Sequence, residues 1–379
     1  MLGLTEQWDT AQRSAPDTSL VMGRDPIPAL VRRPWENPCP RPRLHGHDGC
    51  MRVILDNNVW SYVGIEGTKA ELESLAQGRR LSIRTPPATL LEALRTKDAE
   101  KRDRIIDAMT SRHWVRLRTE VDVECQEFVA EARRTRPQWI RQLPRPGRPA
   151  ALREFWMRGI WREAARDSAP LAARQPRVMD ADEDRVFDVL KSNSLSMRNS
   201  DWNAGDLAKV TYLATEEAPD SYLAGWQRGT HAEGWRVEGR DVFRHALDQH
   251  DLKTWSGHDT TYGDWVEPYL YLDRVLRDPE DFTRFWLTDV DEARMPRNWL
   301  RWVSGVALLE HKVTRSTGRD NQLACYLPDC DVFLSEDRRF VRALQRVKEA
   351  APIPLPEIHW VDIEASGGRV VDVIAAALD

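Results

Sequence analysis

The sequence predicts an α/β protein built on a central parallel sheet, with a mostly helical insertion in the middle of the chain. Short apolar runs alternate with longer amphipathic segments from residue 51 to about residue 117. The same alternation returns from about residue 299, whereas long polar segments with scattered aromatic residues fill the interval. Because strands that alternate with helices pack as parallel sheets with helical crossovers, we expect both ends of the chain to share one sheet.

The first part of the predicted sheet lies before the insertion. Its first strand covers residues 52–56 and ends at Asp56. A helix through Leu72 follows, then a strand at 81–83 and a helix that begins after Pro86. Proline suits the first turn of a helix, because the N–H that it lacks has no partner within the helix there.

The second part begins with a helix and contains two further strands. A helix is predicted near Asp320, a strand at 332–334, a helix from Arg338 and a strand at 358–361. Apolar residues at helical spacing mark the helix that opens this part, and they are Trp299, Trp302, Val306 and Leu309.

These patterns divide the chain into four segments. Residues 1–50 are rich in proline and lack periodic apolar runs, so we expect a flexible leader. Residues 51–117 and 299–379 are the two parts of the α/β domain, and residues 118–298 are the mainly helical insertion.

Composition limits the class of protein. The chain has 379 residues, of which 41% are hydrophobic and 30% are charged, so a disordered chain is unexpected. No apolar run reaches the ~20 residues of a membrane span, and no signal peptide is recognisable. Five irregularly spaced cysteines do not suggest a disulfide framework. We therefore expect a soluble cytoplasmic protein with no membrane partner.

Four acidic residues stand where ligands of a parallel sheet bind. Asp56 and Asp337 follow strands, Glu92 lies in the helix after the second strand, and Asp320 stands at the amino end of a short helix. Ligands bind outside the carboxyl ends of parallel strands, so these carboxylates can converge on one edge. Clustered carboxylates repel one another unless a cation neutralises them. Mg²⁺ and Mn²⁺ prefer oxygen ligands, and they can assist the hydrolysis of a phosphodiester.

Four segments in this order resemble the PIN-domain ribonucleases. They are Val53-Ile-Leu-Asp56-Asn-Asn-Val-Trp60, Ser82-Ile-Arg-Thr-Pro-Pro-Ala-Thr-Leu-Leu-Glu92, Asp320-Asn-Gln-Leu-Ala-Cys-Tyr-Leu327 and Asp331-Val-Phe-Leu-Ser-Glu-Asp337-Arg-Arg-Phe340. The resemblance covers about a third of the chain and implies a three-layer sandwich of helices around a parallel sheet, with a metal-dependent site that cleaves RNA.

The resemblance also implies roles for individual residues. Asp56, Glu92, Asp320 and Asp337 take the four acidic positions, as catalytic residues and as ligands of Mg²⁺ or Mn²⁺. Asn57 and Ser335 take supporting positions beside them. Some small toxin members of the family are inhibited by a partner protein, so an inhibitory partner is a further possibility. The long insertion is a departure from the family, and it leaves the substrate RNA and the oligomeric state open.

Other interpretations of the acidic residues remain open. Each acid, taken singly, can cap a helix or lie on a solvated face. Haloacid-dehalogenase-like phosphatases also use a strand-end aspartate, but Asn58 stands where their second aspartate belongs. A PIN-like module that binds RNA or protein without cleaving it is the third alternative.

Two basic regions are candidates for RNA binding. Residues 131–166 contain ten arginines and three glutamates, with Trp139, Trp156 and Trp161 among them. Arginine and aromatic side chains together bind single-stranded nucleic acid, although an amphipathic helix with a tryptophan core has the same pattern. Nearer the acids, three basic residues are candidates for binding substrate phosphates, namely Lys312, Arg315 and Arg319.

Overall fold

The computed structural model describes residues 49–174, 231–248, 262–310 and 317–379, together with 191, 211–213 and 250. Its strands are β1 (Met51–Leu55), β2 (Leu81–Thr85), β3 (Val115–Arg116), β4 (Thr211–Leu213), β5 (His231–Glu233), β6 (Val332–Ser335) and β7 (Glu357–Trp360). Five of them form a parallel sheet in the order β3-β2-β1-β6-β7, which confirms the predicted α/β class. The other two, β4 and β5, form an antiparallel pair within the insertion.

Helices of the first α/β part and of the early insertion are α1 (Asn57–Glu66), α2 (Lys69–Gly78), α3 (Pro87–Leu94), α4 (Ala99–Met109), α5 (Glu120–Thr135), α6 (Gly147–Glu154), α7 (Ile160–Arg166) and α8 (Ser168–Arg174). Those that follow are α9 (Gly234–Asp248), α10 (Tyr262–Val266), α11 (Leu272–Arg277), α12 (Pro279–Arg284), α13 (Pro296–Leu309), α14 (Thr317–Ala324), α15 (Arg338–Ala350), α16 (Ile363–Ser366) and α17 (Val370–Ala377).

The central pair of strands joins the two ends of the chain. Val53 in β1 lies opposite Val332 in β6, and Leu55 lies opposite Leu334. This confirms that the two predicted strands are neighbours in one sheet. The observed β6 includes Ser335, and β7 begins one residue earlier than the predicted strand at 358–361. In the observed register, Trp360 pairs with Ser335.

Alternation along β1 directs side chains to the two faces of the sheet. Val53 and Leu55 pack with α1, α2, α4 and α17 on one face, and Ile54 packs with α13 and α15 on the other. Helices therefore cover both faces, as expected for a parallel sheet.

The insertion contributes side chains to both of these cores. Phe128, Phe243 and Trp286 stack within the core that contains Ile54, with ring centroids 4.5–5.7 Å apart. Trp161 joins the other core. The helices of the insertion and the α/β part are thus packed against each other through continuous apolar contacts.

Two further properties concern the described residues alone. None of their helices combines the length and the apolar character needed to cross a bilayer. Cys50, Cys125, Cys325 and Cys330 form no disulfide with any described residue. The predicted leader, apart from its last two residues, lies outside the described residues.

Candidate active site

Asp56 lies at the carboxyl end of the central strand, and it also begins the next helix. Its backbone is extended, and its Oδ1 accepts a hydrogen bond of 2.6 Å from the N–H of Asn57 at the start of α1. Its Oδ2 accepts a hydrogen bond of 2.5 Å from the hydroxyl of Ser335 in β6. The carboxylate is only 7% exposed, so the strand end presents a buried, oriented acid to the edge of the sheet.

A network of short polar contacts holds Asp56 against the neighbouring strand. The Ser335 hydroxyl that donates to Asp56 also accepts the N–H of Asp337 at 3.0 Å. Asn58 Oδ1 accepts the N–H groups of Val59 and Glu336, at 2.8 and 3.3 Å. Asn58, which stands two residues after Asp56 and was considered above only as the counterpart of the phosphatases' second aspartate, was not among the predicted site residues.

The environment of Asp56 favours its protonated form. Burial raises the pKa of Asp56 to about 6, and the negative charge of Asp337 acts in the same direction. Hydrogen bonds from Ser335, Asn57 and Asn58 oppose this effect by stabilising the carboxylate. Among the residues that the structure describes, no Lys, Arg or His nitrogen forms an ion pair with Asp56.

Glu92 lies close enough to Asp56 for the two charges to interact. Burial raises the pKa of Glu92 to about 7, and the charge of Asp56 contributes to the increase. Arg319, a side-chain hydrogen bond from Asn57, and Arg95 lower it. The sequence analysis did not single out Arg95, which follows the last turn of α3.

The other two acids, Asp337 and Asp320, are linked less directly to Asp56 and Glu92. Asp337 caps α15, because its Oδ1 accepts the N–H groups of Arg339 and Phe340 at 2.8 and 3.1 Å. Its charge nevertheless reaches Asp56. Asp320 lies in the first turn of α14, which packs against α3, and its neighbour Arg319 acts on Glu92. Lys312 and Arg315 lie outside the described residues.

The donor set suits a hard divalent cation. The described residues contain no group of three or more His, Cys, Asp or Glu side chains that could hold a metal ion. Mg²⁺, however, keeps several waters and binds through one or two carboxylates. Asp56 and Glu92 are the two carboxylates that could do so, and Asn57 Oδ1 is a buried oxygen with no hydrogen-bond partner in the described part of the chain.

The arginine-rich segment is packed differently from an aromatic RNA-binding surface. Trp139 and Trp161 are only 2% and 3% exposed, so neither is available to stack on a base. Seven of the ten arginines of residues 131–166 form ion pairs, and they are Arg134, Arg136, Arg141, Arg148, Arg153, Arg158 and Arg162. Trp139 and Trp161 therefore fit the alternative interpretation, in which the tryptophans of an amphipathic segment belong to the core.

Comparison of the chain with protein-family models, with curated proteins and with solved structures finds no match. The resemblance to the PIN-domain ribonucleases therefore stays a prediction that rests on the four sequence segments.

Proposed function

We propose that this chain is a metal-dependent ribonuclease that hydrolyses RNA phosphodiester bonds at the carboxyl edge of its sheet. The observation that carries the proposal is the pair Asp56 and Glu92: a buried carboxylate at the end of the central strand and a half-buried one from α3, whose charges repel each other, with Asp56 in no ion pair among the described residues. A protein keeps such a pair at a cost in stability, and functional sites are where perturbed carboxylates concentrate.

Mg²⁺ or Mn²⁺ is the proposed cofactor, and it would polarise the phosphodiester and activate water. Asp56 and Glu92 would hold the ion, with Asp337 and Asp320 adding negative charge around it. Ser335 keeps Asp56 Oδ2 in one orientation through its 2.5 Å hydrogen bond. Arg319, which acts on Glu92, is the described basic residue best placed to bind a substrate phosphate. No protein nucleophile takes part.

The cytoplasm is the compartment that we propose. It contains RNA, and the four described cysteines form no disulfide with any described residue, as is usual for proteins of that compartment. An inhibitory protein partner belongs to the same proposal, since a cytoplasmic ribonuclease without control would degrade cellular RNA.

Manganese-dependent cleavage of a mixed RNA pool tests the proposal. The wild type should cleave in Mn²⁺ and lose activity in chelator, and Asp56→Asn should lower the rate at least about 100-fold, because it removes a charged ligand and preserves shape. Asp331→Asn is the matched control, since Asp331 precedes the same neighbouring strand but is paired with Arg52 away from the site.

Three results would contradict the proposal. They are cleavage that survives in chelator, an Asp56→Asn variant that keeps full activity, and an absence of cleavage by a wild type that binds RNA. The last result would favour a PIN-like module that binds without cutting.

A further inference from the structure

Trp360 is an exposed tryptophan at the edge of the candidate site. It is 37% exposed, and it is the only tryptophan of the described residues among the exposed large hydrophobic side chains. It ends β7, the outermost strand on this side of the sheet. A partly exposed indole at the end of a sheet, beside the proposed site, offers apolar surface to a ligand.

Its position follows from the register of three neighbouring strands. Trp360 pairs with Ser335, and the Ser335 hydroxyl donates to Asp56. Parallel strands lie about 4.8 Å apart, so the backbone of Trp360 is about 10 Å from that of Asp56 along the same edge. Trp360 therefore lies next to the proposed cleavage site.

The indole is held in a fixed orientation beside a cation. Its Nε1–H donates to the carbonyl oxygen of Glu336 at 3.0 Å. The Arg338 guanidinium lies over the ring, 4.7 Å from its centre. Arg338 and Arg342, one turn apart on α15, are both exposed, and neither forms an ion pair with any described residue. Indole and guanidinium planes both stack on bases, and the arginine charges suit phosphates.

We propose that Trp360 and Arg338 form a base-stacking subsite for single-stranded RNA, which holds a nucleotide next to the scissile phosphate. The inference rests on the proposed ribonuclease function, and it names the substrate as an unpaired strand. The bases of a duplex are stacked on one another, so their faces cannot reach Trp360. In this subsite, Arg342 contacts the phosphate backbone of the bound RNA strand.

Binding of a short fluorescein-labelled oligouridylate, measured by anisotropy in chelator, tests this subsite without any cleavage. Trp360→Ala should raise the Kd about 5- to 100-fold, equivalent to about 1–3 kcal/mol for one stacked base. Trp360→Phe should recover much of the loss. Arg277→Ala, which removes an exposed arginine from α11, should leave the Kd unchanged.

Inorganic polyphosphate, a polyanion without bases, separates stacking from charge. Arg338→Ala should weaken both oligouridylate and polyphosphate, whereas Trp360→Ala should weaken oligouridylate alone. If Trp360→Ala fails to fold, the test changes the RNA instead of the protein and uses an oligouridylate that carries abasic sites. The wild type should bind this abasic oligomer less tightly than intact oligouridylate. Trp360→Phe should bind the abasic oligomer as tightly as the wild type does.

An unchanged oligouridylate Kd in a folded Trp360→Ala variant overturns the subsite, and so does equal wild-type affinity for the abasic oligomer. Either result leaves the proposed ribonuclease standing if Asp56→Asn abolishes cleavage. Conversely, if Trp360→Ala weakens RNA binding but the wild type never cleaves RNA, the subsite is retained and the ribonuclease is rejected.

Discussion

Asp122 in α5 and Asp56 before α1 are both buried aspartates near the start of a helix, but their partners differ. Asp122 is 1% exposed, and it accepts two hydrogen bonds from Arg153, at 2.7 and 2.8 Å. Asp56 is 7% exposed, and its donors are an N–H group and a hydroxyl, neither of them charged. Only one of the two buried carboxylates has its charge balanced by an ion pair within the described chain.

This difference separates a structural acid from a candidate functional one. A buried carboxylate without a cation raises the free energy of the folded state, and its pKa rises in consequence. Removing the acid of an ion pair is destabilising instead, because it leaves the partner's positive charge uncompensated. The missing partner, rather than burial itself, is what makes Asp56 the candidate for binding a cation.

The same substitution should have opposite effects at the two sites. Asp122→Asn should lower the free energy of unfolding by about 1–3 kcal/mol, because the partly exposed Arg153 loses its charged partner. Asp56→Asn should leave that free energy unchanged or raise it, since repulsion with Glu92 and Asp337 is relieved. Urea titration in the absence of metal measures both. A large loss of stability in Asp56→Asn would make Asp56 a structural residue.

Divalent ions should stabilise only the chain that keeps Asp56. An ion that binds the folded state alone, at 100 times its Kd, adds about 2.7 kcal/mol to the free energy of unfolding. We expect Mn²⁺ to raise the urea midpoint of the wild type and of Asp122→Asn, but not that of Asp56→Asn. Equal stabilisation of all three proteins would place the ion elsewhere.

The pH dependence of stability should differ between wild type and Asp56→Asn. The folded-state pKa of Asp56 is about 6, above the ordinary value of 3.8, so its protonation stabilises the fold at low pH, and this contribution is lost as the pH rises through 6. Between pH 5 and 7.5 the wild type should lose about 1.4 kcal/mol relative to the variant. Glu92 changes the difference in the same direction, because its pKa is raised by the charge of Asp56. Parallel stability curves would refute the raised pKa.

The smallest effect is expected in the arginine-rich segment. Arg133, Arg145 and Arg166 form no ion pair with any described residue, so they are the arginines of residues 131–166 with charge to offer a polyanion. Reversing all three to Glu should change oligouridylate affinity by less than about threefold at 0.15 M salt, where charges interact over about 8 Å. A larger loss than that of Arg338→Ala would move the main RNA contact to the insertion.

Local pattern was enough to predict the α/β class and the single parallel sheet that both ends of the chain share. An apolar run that ends in Asp56 or Ser335 predicts where each strand stops, and parallel pairing then places the two residues together. Partners distant in sequence could not be predicted in this way. The arginines of residues 131–166 resemble a free basic surface until the fold supplies Asp264, Glu267, Asp281 and Asp289 to pair with them.

Trp360 is a second residue whose environment the local pattern could not predict. It is two residues after the buried Ile358, so alternation along the strand predicts a buried side chain. Its exposure depends on its place at the end of an outermost strand, which only the sheet order reveals.

The hydrogen bond between Asp56 and Ser335 joins residues 279 positions apart, and it has a consequence for synthesis on the ribosome. The first three strands of the sheet leave the tunnel early, but β1 has no neighbour on its other side until β6 emerges. Contacts between such distant segments form late, because a long loop must close first. A nascent or truncated chain therefore carries Asp56 without the strand that orients it, and the proposed nuclease activity would begin only after residue 335 has left the tunnel.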